Sequence, residues 1–125
     1  MAIKVLLSIK PEFVEKIFNG EKKFEYRKVL FKNNEVNRIV IYASSPVKKV
    51  VGEFEIGEIL HTTKNELWES TQEKSGITKE FFDDYFSEKE FAYAIEIKEI
   101  EQYQEPKSLK EDFKILNAPQ SFQYL

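Results

Sequence analysis

Hydrophobic residues recur along the chain at two different spacings, and each spacing predicts a type of secondary structure. Four apolar residues between positions 13 and 18 share one side of a helix, which predicts a short amphipathic helix over Pro11–Asn19, ended by Gly20. Alternating or β-branched runs predict strands at residues 4–9, 23–30, 38–43, 47–60 and 91–98. Further helical segments are predicted at residues 65–70, 78–86 and 108–112.

The order of these elements limits the fold. Too few helices separate the strands for a doubly wound parallel sheet. We therefore expect an α+β fold, a small mixed, mostly antiparallel β-barrel with helices at its ends, formed by residues 1–125 as one domain. Gly52 and Gly57 are expected to mark bulges in the long strand. The aromatic residues near the C-terminus predict that this tail packs back onto the domain.

Composition excludes several kinds of site. The chain has no cysteine, which excludes disulfides, thiolate metal ligands and a cysteine nucleophile. His61 is the only histidine, so no histidine cluster can hold a metal. We expect neither a metal nor another cofactor. The apolar stretch within residues 1–10 is too short for a signal peptide core or a membrane span, and we expect a cytoplasmic protein without membrane contact.

Charge is distributed unevenly between the two parts of the chain. Residues 1–52 carry 11 Lys/Arg and 5 Asp/Glu, whereas residues 53–125 carry 8 Lys/Arg and 17 Asp/Glu. The first part thus has a net charge of +6 and the second of −9. This split is compatible with one basic face for an anion. The overall charge of −3 argues against tight nonspecific binding to duplex nucleic acid, which needs many phosphate contacts.

The densest group of chemically useful side chains lies in the run Gly20–Arg27. Arg27 offers a planar set of donors for a phosphate or a base edge, and Lys22 offers a point charge. Glu25 shares a strand face with Arg27 and can orient it or accept from an amino group. The alternative is that Glu25 and Arg27 form an exposed ion pair, worth roughly 0–1 kcal/mol and without functional meaning.

Other residues are weaker candidates for the same ligand site. Lys10 is expected at the mouth of a cleft. Tyr42, in the third predicted strand, and Ser44, just after it, are further ligand-binding candidates. Trp68 and Phe122 could stack on a base, although aromatic residues of this kind more often pack in a core.

Five segments carry a family resemblance. They are Leu7-Ser8-Ile9-Lys10-Pro11, Gly20-Glu21-Lys22-Lys23-Phe24-Glu25-Tyr26-Arg27, Ile41-Tyr42-Ala43-Ser44-Ser45-Pro46, Val50-Val51-Gly52-Glu53-Phe54 and Ala118-Pro119-Gln120-Ser121-Phe122. Together they closely resemble the ASCH domain family of the PUA-like superfamily, whose characteristic motif is a helix ending in G-x-K-x-x-E-x-R. The resemblance covers nearly the whole chain.

The resemblance implies a small PUA-like β-barrel whose cleft lies beside the first helix, with Lys22, Glu25 and Arg27 on its wall. It also implies the handling of RNA or nucleotides, or assistance to transcription and translation. Some small relatives are 4-acetylcytidine amidohydrolases that use a lysine, a threonine and a glutamate. The lysine matches Lys22, the threonine position holds Glu25, and the nearest candidate for the glutamate is Glu73.

Catalysis would place a particular demand on Lys22. An amide-cleaving lysine needs a pKa lowered by burial, whereas a nearby Glu25 favours the charged form. This reasoning, together with the missing threonine, favours binding over catalysis.

The residues and the resemblance support three functional hypotheses. The first is the binding of single-stranded RNA or a nucleotide-like ligand by the candidate residues named above. The second is a small enzyme acting on nucleosides or RNA, an amidohydrolase or a ribonuclease, with Lys22 and Glu25 as catalytic residues. The third is a protein-interaction regulator of transcription, with a protein partner bound through residues 62–90 of the acidic part.

Overall fold

The structure, a computed structural model, describes residues 3–125. Its strands are β1 (Ile3–Ile9), β2 (Phe24–Arg27), β3 (Val36–Ala43), β4 (Lys49–Thr63), β5 (Phe91–Lys107) and β6 (Gln123–Tyr124). Its helices are α1 (Pro11–Phe18), α2 (Lys64–Thr71), α3 (Lys79–Tyr85) and α4 (Leu109–Phe113), with a 3₁₀ turn at Gln72–Lys74. Within residues 3–125, every helix is too short or too polar to cross a bilayer.

The strands form one mixed sheet in the order β2-β5-β4-β3-β1-β6. β1 runs parallel to β3, and the other neighbouring strands are antiparallel, as predicted. The predicted barrel is wrong, because the sheet is open: among residues 3–125, no strand pairing joins β2 to β6. Arg27 spans part of this gap, since its Nη2 donates to the backbone carbonyl of Ser121, two residues before β6.

The buried side chains pack in three clusters around this sheet. The largest cluster packs α1 against β1, β3, β4 and β5 and includes Leu7, Val14, Ile17, Phe54 and Ile95. A second cluster packs α4 against β1, β3 and β4. A third packs α2 and α3 against Tyr26 and the start of β5. The N-terminus of α3 is capped by Thr78, whose Oγ1 accepts from the Phe81 N–H at 3.0 Å, as its position in the sequence suggested.

The long antiparallel pair of β4 and β5 extends further along the chain than predicted. The register shifts between Val50 and Gly52 and again between Ile56 and Ile59, so both predicted bulge glycines lie at irregularities. At Gly52 a side chain would meet the carbonyl of Glu101 at 2.4 Å, so only glycine permits this approach of the strands. β5 continues to Lys107, well past its predicted end, because pairing with β4 retains a segment that is polar in sequence.

The C-terminal tail packs onto the domain, as predicted. β6 pairs antiparallel with β1, and the Leu125 N–H donates to the Lys4 carbonyl at 3.0 Å. The Tyr124 hydroxyl accepts from the backbone N–H groups of Lys32 and Asn33 at 3.1 Å each. These contacts hold the preceding residues near the open edge of β2.

Candidate functional site

A cavity of about 210 Å³ opens beside α1, between the C-terminal end of β1, the edge of β2 and helix α3. We call it the cleft. Four charged residues and a group of aromatic and other residues line it: Lys10, Lys22, Glu25, Arg27, Ser8, Ile9, Phe13, Tyr26, Ile77, Phe81 and Tyr85. The structure thus brings together four of the six predicted ligand-binding residues.

A reversal of the chain after α1 places Lys22 in the cleft. Gly20 adopts a φ of +87°, a conformation that glycine takes without strain. The Lys22 N–H then donates to the Lys16 carbonyl at 3.0 Å, and the next N–H, of Lys23, donates to the Lys74 carbonyl at 2.8 Å. The local motif and a distant loop therefore both hold Lys22, whose side chain is only 1% exposed.

The ammonium group of Lys22 is bound mainly by neutral groups. Its Nζ donates to the Ser75 carbonyl at 2.9 Å and lies 5.3 and 4.9 Å from the ring centroids of Phe13 and Tyr26. The nearest carboxylate oxygen, Glu25 Oε1, is 4.0 Å away.

This environment shifts the pKa of Lys22. Burial lowers the pKa of Lys22 to about 8, although Glu25 opposes the shift, as expected, and the charge of Lys16 adds to it. Desolvation outweighs the Glu25 carboxylate, whose nearest oxygen lies 4.0 Å from Nζ. The amine is therefore closer to neutrality at physiological pH than an ordinary lysine.

Glu25 and Arg27 line the open edge of β2. Arg27 Nη1 lies 3.2 Å from Glu25 Oε2, and Nη2 donates to the Ser121 carbonyl at 2.7 Å. The two side chains are 8% and 11% exposed, so the alternative of an exposed surface pair is wrong. We refer to Lys22, Glu25 and Arg27 as the cleft triad.

Helices α1 and α3 add an aromatic wall to the cavity that the cleft triad lines. Phe13 of α1 meets Phe81 of α3 edge to face, with 5.1 Å between ring centroids. Tyr85 lies one turn further along α3, and Lys10 Nζ is 5.0 Å from the Phe81 ring centroid. We define Phe13, Phe81 and Tyr85 as the aromatic wall.

None of these three residues is among the predicted ligand residues, although the spacing of the aromatic residues in α3 indicates two of them. Phe82 and Phe86 are buried in the core, whereas Phe81 and Tyr85 are only partly buried. Two aromatic pairs at a spacing of four residues, offset by one position, mark two adjacent faces of the same helix. One face is needed for packing, and the second is available to a ligand.

Tyr26 lines the cleft but is anchored in the core. Its hydroxyl forms a 2.6 Å hydrogen bond with Thr71 Oγ1, and Thr71 donates in turn to the Leu67 carbonyl at 2.7 Å. Burial raises the pKa of Tyr26 to about 12. Tyr26 therefore presents its ring, and not its hydroxyl, to the cleft.

Two predicted ligand residues, Tyr42 and Ser44, lie outside the cleft. Tyr42 is 8% exposed and packs with Leu6 and Leu109 in the cluster under α4. Ser44 comes directly after β3, and its backbone N–H donates to the Ile9 carbonyl at 3.0 Å. Tyr42 lies in the predicted strand, but its side chain packs under α4 and not in the cleft.

The remaining candidates do not line the cleft either. Trp68 packs against Phe82 at 4.9 Å, and Phe122 packs against Phe31 at 6.1 Å, so both serve the core. Glu73 is exposed in the 3₁₀ turn, so it does not complete an amidohydrolase set with Lys22. In the described part of the chain, no three His, Cys, Asp or Glu residues are placed to hold a metal ion.

Comparisons with known proteins agree with the resemblance of the motif. The family model of the ASCH domain matches residues 7–117. The chain is 32% identical over 91 residues to an ASCH domain-containing ribonuclease of Zymomonas mobilis, a match that covers 73% of this chain and 62% of that protein. It is 30% identical over 124 residues to the large ribosomal subunit protein uL22 of Ureaplasma parvum, covering 97% of this chain and 39% of that protein. The chain therefore spans less than two thirds of the length of these curated relatives.

The fold also matches a solved structure. The crystal structure of ASCH from Zymomonas mobilis superposes with a TM-score of 0.86 at 30% sequence identity. The match covers 98% of this chain and 87% of that one. The open mixed sheet with few helices is therefore an arrangement that this relative shares.

Proposed function

The chain belongs to the ASCH domain family, and we propose that its cleft binds one nucleotide of single-stranded RNA. The observation that carries the proposal is that the cleft triad and the aromatic wall line a single cavity. Recognition of single-stranded RNA needs a surface for base stacking, donors for phosphate, and acceptors for base edges. This cleft offers all three.

The charges of the cleft suit a phosphate. Lys10, Lys22 and Arg27 outnumber the one carboxylate, Glu25, so the cavity carries a net positive charge. Glu25 holds the Arg27 guanidinium in place and has a second oxygen, Oε1, that can accept from a base amino group. A volume of about 210 Å³ lies below the roughly 300 Å³ at the lower end of drug-sized sites, and this supports a ligand unit no larger than one nucleotide.

The relatives support the same class of ligand. One is named as an ASCH domain-containing ribonuclease and another as a protein of the large ribosomal subunit. Each of these proteins is longer than this chain, so the shared domain supports RNA binding more directly than it supports either full activity.

Binding of a short single-stranded RNA, measured by fluorescence anisotropy, tests the proposal. Arg27→Gln removes the charge and the planar donor set, and we expect it to weaken binding at least tenfold, about 1.4 kcal/mol. Arg38→Gln is the matched control, because Arg38 is also a partly buried arginine paired with a glutamate, Glu53, but lies outside the cleft. We expect its affinity to stay within twofold of wild type.

Two results would overturn RNA binding at this site. One is the absence of measurable RNA binding by the wild-type protein. The other is equal weakening by Arg27→Gln and Arg38→Gln, which would indicate a general loss of charge or stability.

RNA cleavage is a second candidate function, favoured by the lowered pKa of Lys22. With a pKa of about 8, roughly a tenth of the Lys22 amines are neutral at pH 7 and able to accept a proton. A neutral Lys22 amine could take the proton of a ribose 2′-hydroxyl as that oxygen bonds to the adjacent phosphorus. The bond from phosphorus to the 5′-oxygen of the next nucleotide breaks, which leaves a 2′,3′-cyclic phosphate, and that 5′-oxygen takes a proton from water. Arg27 would stabilise the charge that develops on the phosphate oxygens.

Turnover of a labelled RNA by wild type, Lys22→Met and Lys22→Arg separates cleavage from binding alone. If Lys22 transfers the proton, cleavage is lost in both variants, because arginine stays protonated. Cleavage that survives in either variant would reject this role for Lys22, and binding without any cleavage by wild type would leave the binding function alone.

A further inference from the structure

We propose that the cleft continues past Arg27 into a second subsite that binds the adjacent nucleotide, so that the ligand is an RNA chain of at least two nucleotides and not a free nucleoside. This inference rests on the proposed RNA binding and deepens it by specifying the length of the ligand. It depends on a groove that shares two residues with the cleft.

The second groove lies beyond the open edge of β2 and has a volume of about 360 Å³. It is lined by Arg27, Lys28, Val29, Tyr85, Gln120 and Ser121. Arg27 and Tyr85 also line the cleft, so the two spaces adjoin along these two side chains. We call this space the outer groove.

Arg27 is placed to contact ligand groups in both spaces. Its Nη1 donates to Glu25 Oε2 at 3.2 Å and to the Ser8 carbonyl at 3.5 Å, and its Nη2 donates to the Ser121 carbonyl at 2.7 Å. A guanidinium has five N–H groups, and these three acceptors, the ones it contacts within residues 3–125, leave at least two N–H groups for a ligand. A phosphodiester bridging two nucleotides is the ligand group that could lie across this position.

Lys28 gives the outer groove its own positive charge. Its side chain is exposed, and its Nζ lies 4.7 Å from the ring centroid of Tyr85. In the described part of the chain, no carboxylate lines the outer groove, whereas Glu25 lines the cleft. Because no carboxylate lining it within residues 3–125 opposes the positive charge, the outer groove favours the binding of an anion more than the cleft does. A second phosphate of the RNA is such an anion.

The remaining residues suit the sugar and base of a second nucleotide. Val29 is 53% exposed and offers an apolar contact, while Gln120 and Ser121 offer amide and hydroxyl groups for hydrogen bonds. Tyr85 borders both spaces and can pack against either nucleotide. A nucleoside or mononucleotide would fill only the cleft and forgo these contacts.

The test compares the affinities of wild-type protein for a nucleoside, a 5′-mononucleotide, a dinucleotide and a hexanucleotide of the same base. We expect the dinucleotide to bind at least tenfold more tightly than the mononucleotide. Lys28→Gln should reduce this ratio about fivefold. It should also lower the slope of log affinity against log salt by about 0.7, the value for one phosphate contact in a single strand. Lys110→Gln is the control, because Lys110 is an exposed lysine on α4 that lines neither space.

Equal affinities for mononucleotide and dinucleotide would overturn the second subsite while leaving the cleft proposal in place. An unchanged ratio in Lys28→Gln would overturn it as well. Failure of the underlying proposal is distinguishable, because in that case neither the mononucleotide nor the hexanucleotide binds.

Discussion

A buried glutamate lies between two cations at two separate places in this molecule, and the two places differ in how far their cations are exposed. In the cleft triad, Lys22 is 1% and Arg27 is 11% exposed. Across β3 and β4, Glu53 lies between two cations that reach solvent: Lys4 is 39% and Arg38 is 22% exposed. We call this second set, together with Tyr103, the Glu53 cluster.

The two clusters differ in how completely their charges are paired. Glu53 accepts from Lys4 at 3.3 Å, from Tyr103 at 2.9 Å and from Arg38, which joins side chains from β1, β3, β4 and β5. Burial raises the pKa of Glu53, but these hydrogen bonds outweigh it, and its pKa lies below the ordinary value. In the cleft triad, Lys22 instead bonds a backbone carbonyl and stays 4.0 Å from Glu25.

The Glu53 cluster thus pairs its charges by direct hydrogen bonds, whereas Lys22 of the cleft triad makes no hydrogen bond to a carboxylate within residues 3–125. In the Glu53 cluster, the carboxylate accepts hydrogen bonds from its neighbours. Lys4 and Arg38 stay partly in water, so the desolvation of these two cations costs little free energy. The cleft triad keeps two cations out of water beside a cavity, with one carboxylate between them. Buried charge of this kind is costly to the fold, which supports a role other than stability.

The largest expected difference between the two clusters is the stability that each loses when its glutamate is removed. Glu25→Ala leaves two buried cations without a counter-charge, and we expect the free energy of unfolding to fall by about 3 kcal/mol. Glu53→Ala leaves cations that can reach water, so a smaller loss of about 1 to 2 kcal/mol is expected. Urea unfolding at pH 7 measures both.

A double variant checks the cause. Lys22→Met added to Glu25→Ala removes one of the stranded charges and should restore part of the lost stability. If the double variant is no more stable than Glu25→Ala alone, the loss does not come from the charge of Lys22.

The dependence of stability on alkaline pH is the next largest expected effect. Since burial lowers the pKa of Lys22 to about 8 from 10.5, the unfolded chain binds more protons than the folded chain between these values. Stability therefore rises with pH in this window, while below pH 8 the lysine is protonated in both states. Relative to Lys22→Met, wild type should gain about 2 kcal/mol between pH 8 and pH 10.

Measuring the difference between the two proteins cancels the contributions of Tyr26, Tyr85 and Tyr103, whose pKa values burial raises. NMR titration of the Lys22 ε-methylene group gives the pKa independently. A midpoint near 10.5 would show that the ammonium group is not desolvated in the folded protein.

The smallest expected effect concerns one hydrogen bond of the Glu53 cluster. Tyr103→Phe removes the donor to Glu53 and should lower the free energy of unfolding by about 1 kcal/mol at pH 7. Because the pKa of Glu53 is lowered in the folded state, its contribution to stability is present above the unfolded pKa and is lost as pH falls through the folded value. The loss caused by Tyr103→Phe should therefore shrink in acid, as measured by thermal unfolding at pH 7 and pH 3, and its RNA binding should match wild type.

Much of the fold follows from local pattern. The spacing of apolar residues located α1, and the Thr78 cap located α3, each within one or two residues of the observed ends. The two glycines of β4 correctly predicted two of the irregularities in its pairing with β5. The far half of β5 could not be predicted, because its polar residues are extended only through pairing with β4.

For the cleft, the sequence by itself determined the run of residues that carries the charges. Gly20 reverses the chain, and strand alternation puts Glu25 and Arg27 on one face, both consequences of short-range geometry. Tertiary structure alone decided what these charges meet. Lys22 bonds a carbonyl 53 residues away and Arg27 one 94 residues away, and α3 supplies most of the aromatic wall. The pKa of Lys22 and the shape of the cleft depend on how completely distant segments of the chain exclude water. A local sequence pattern does not contain that information.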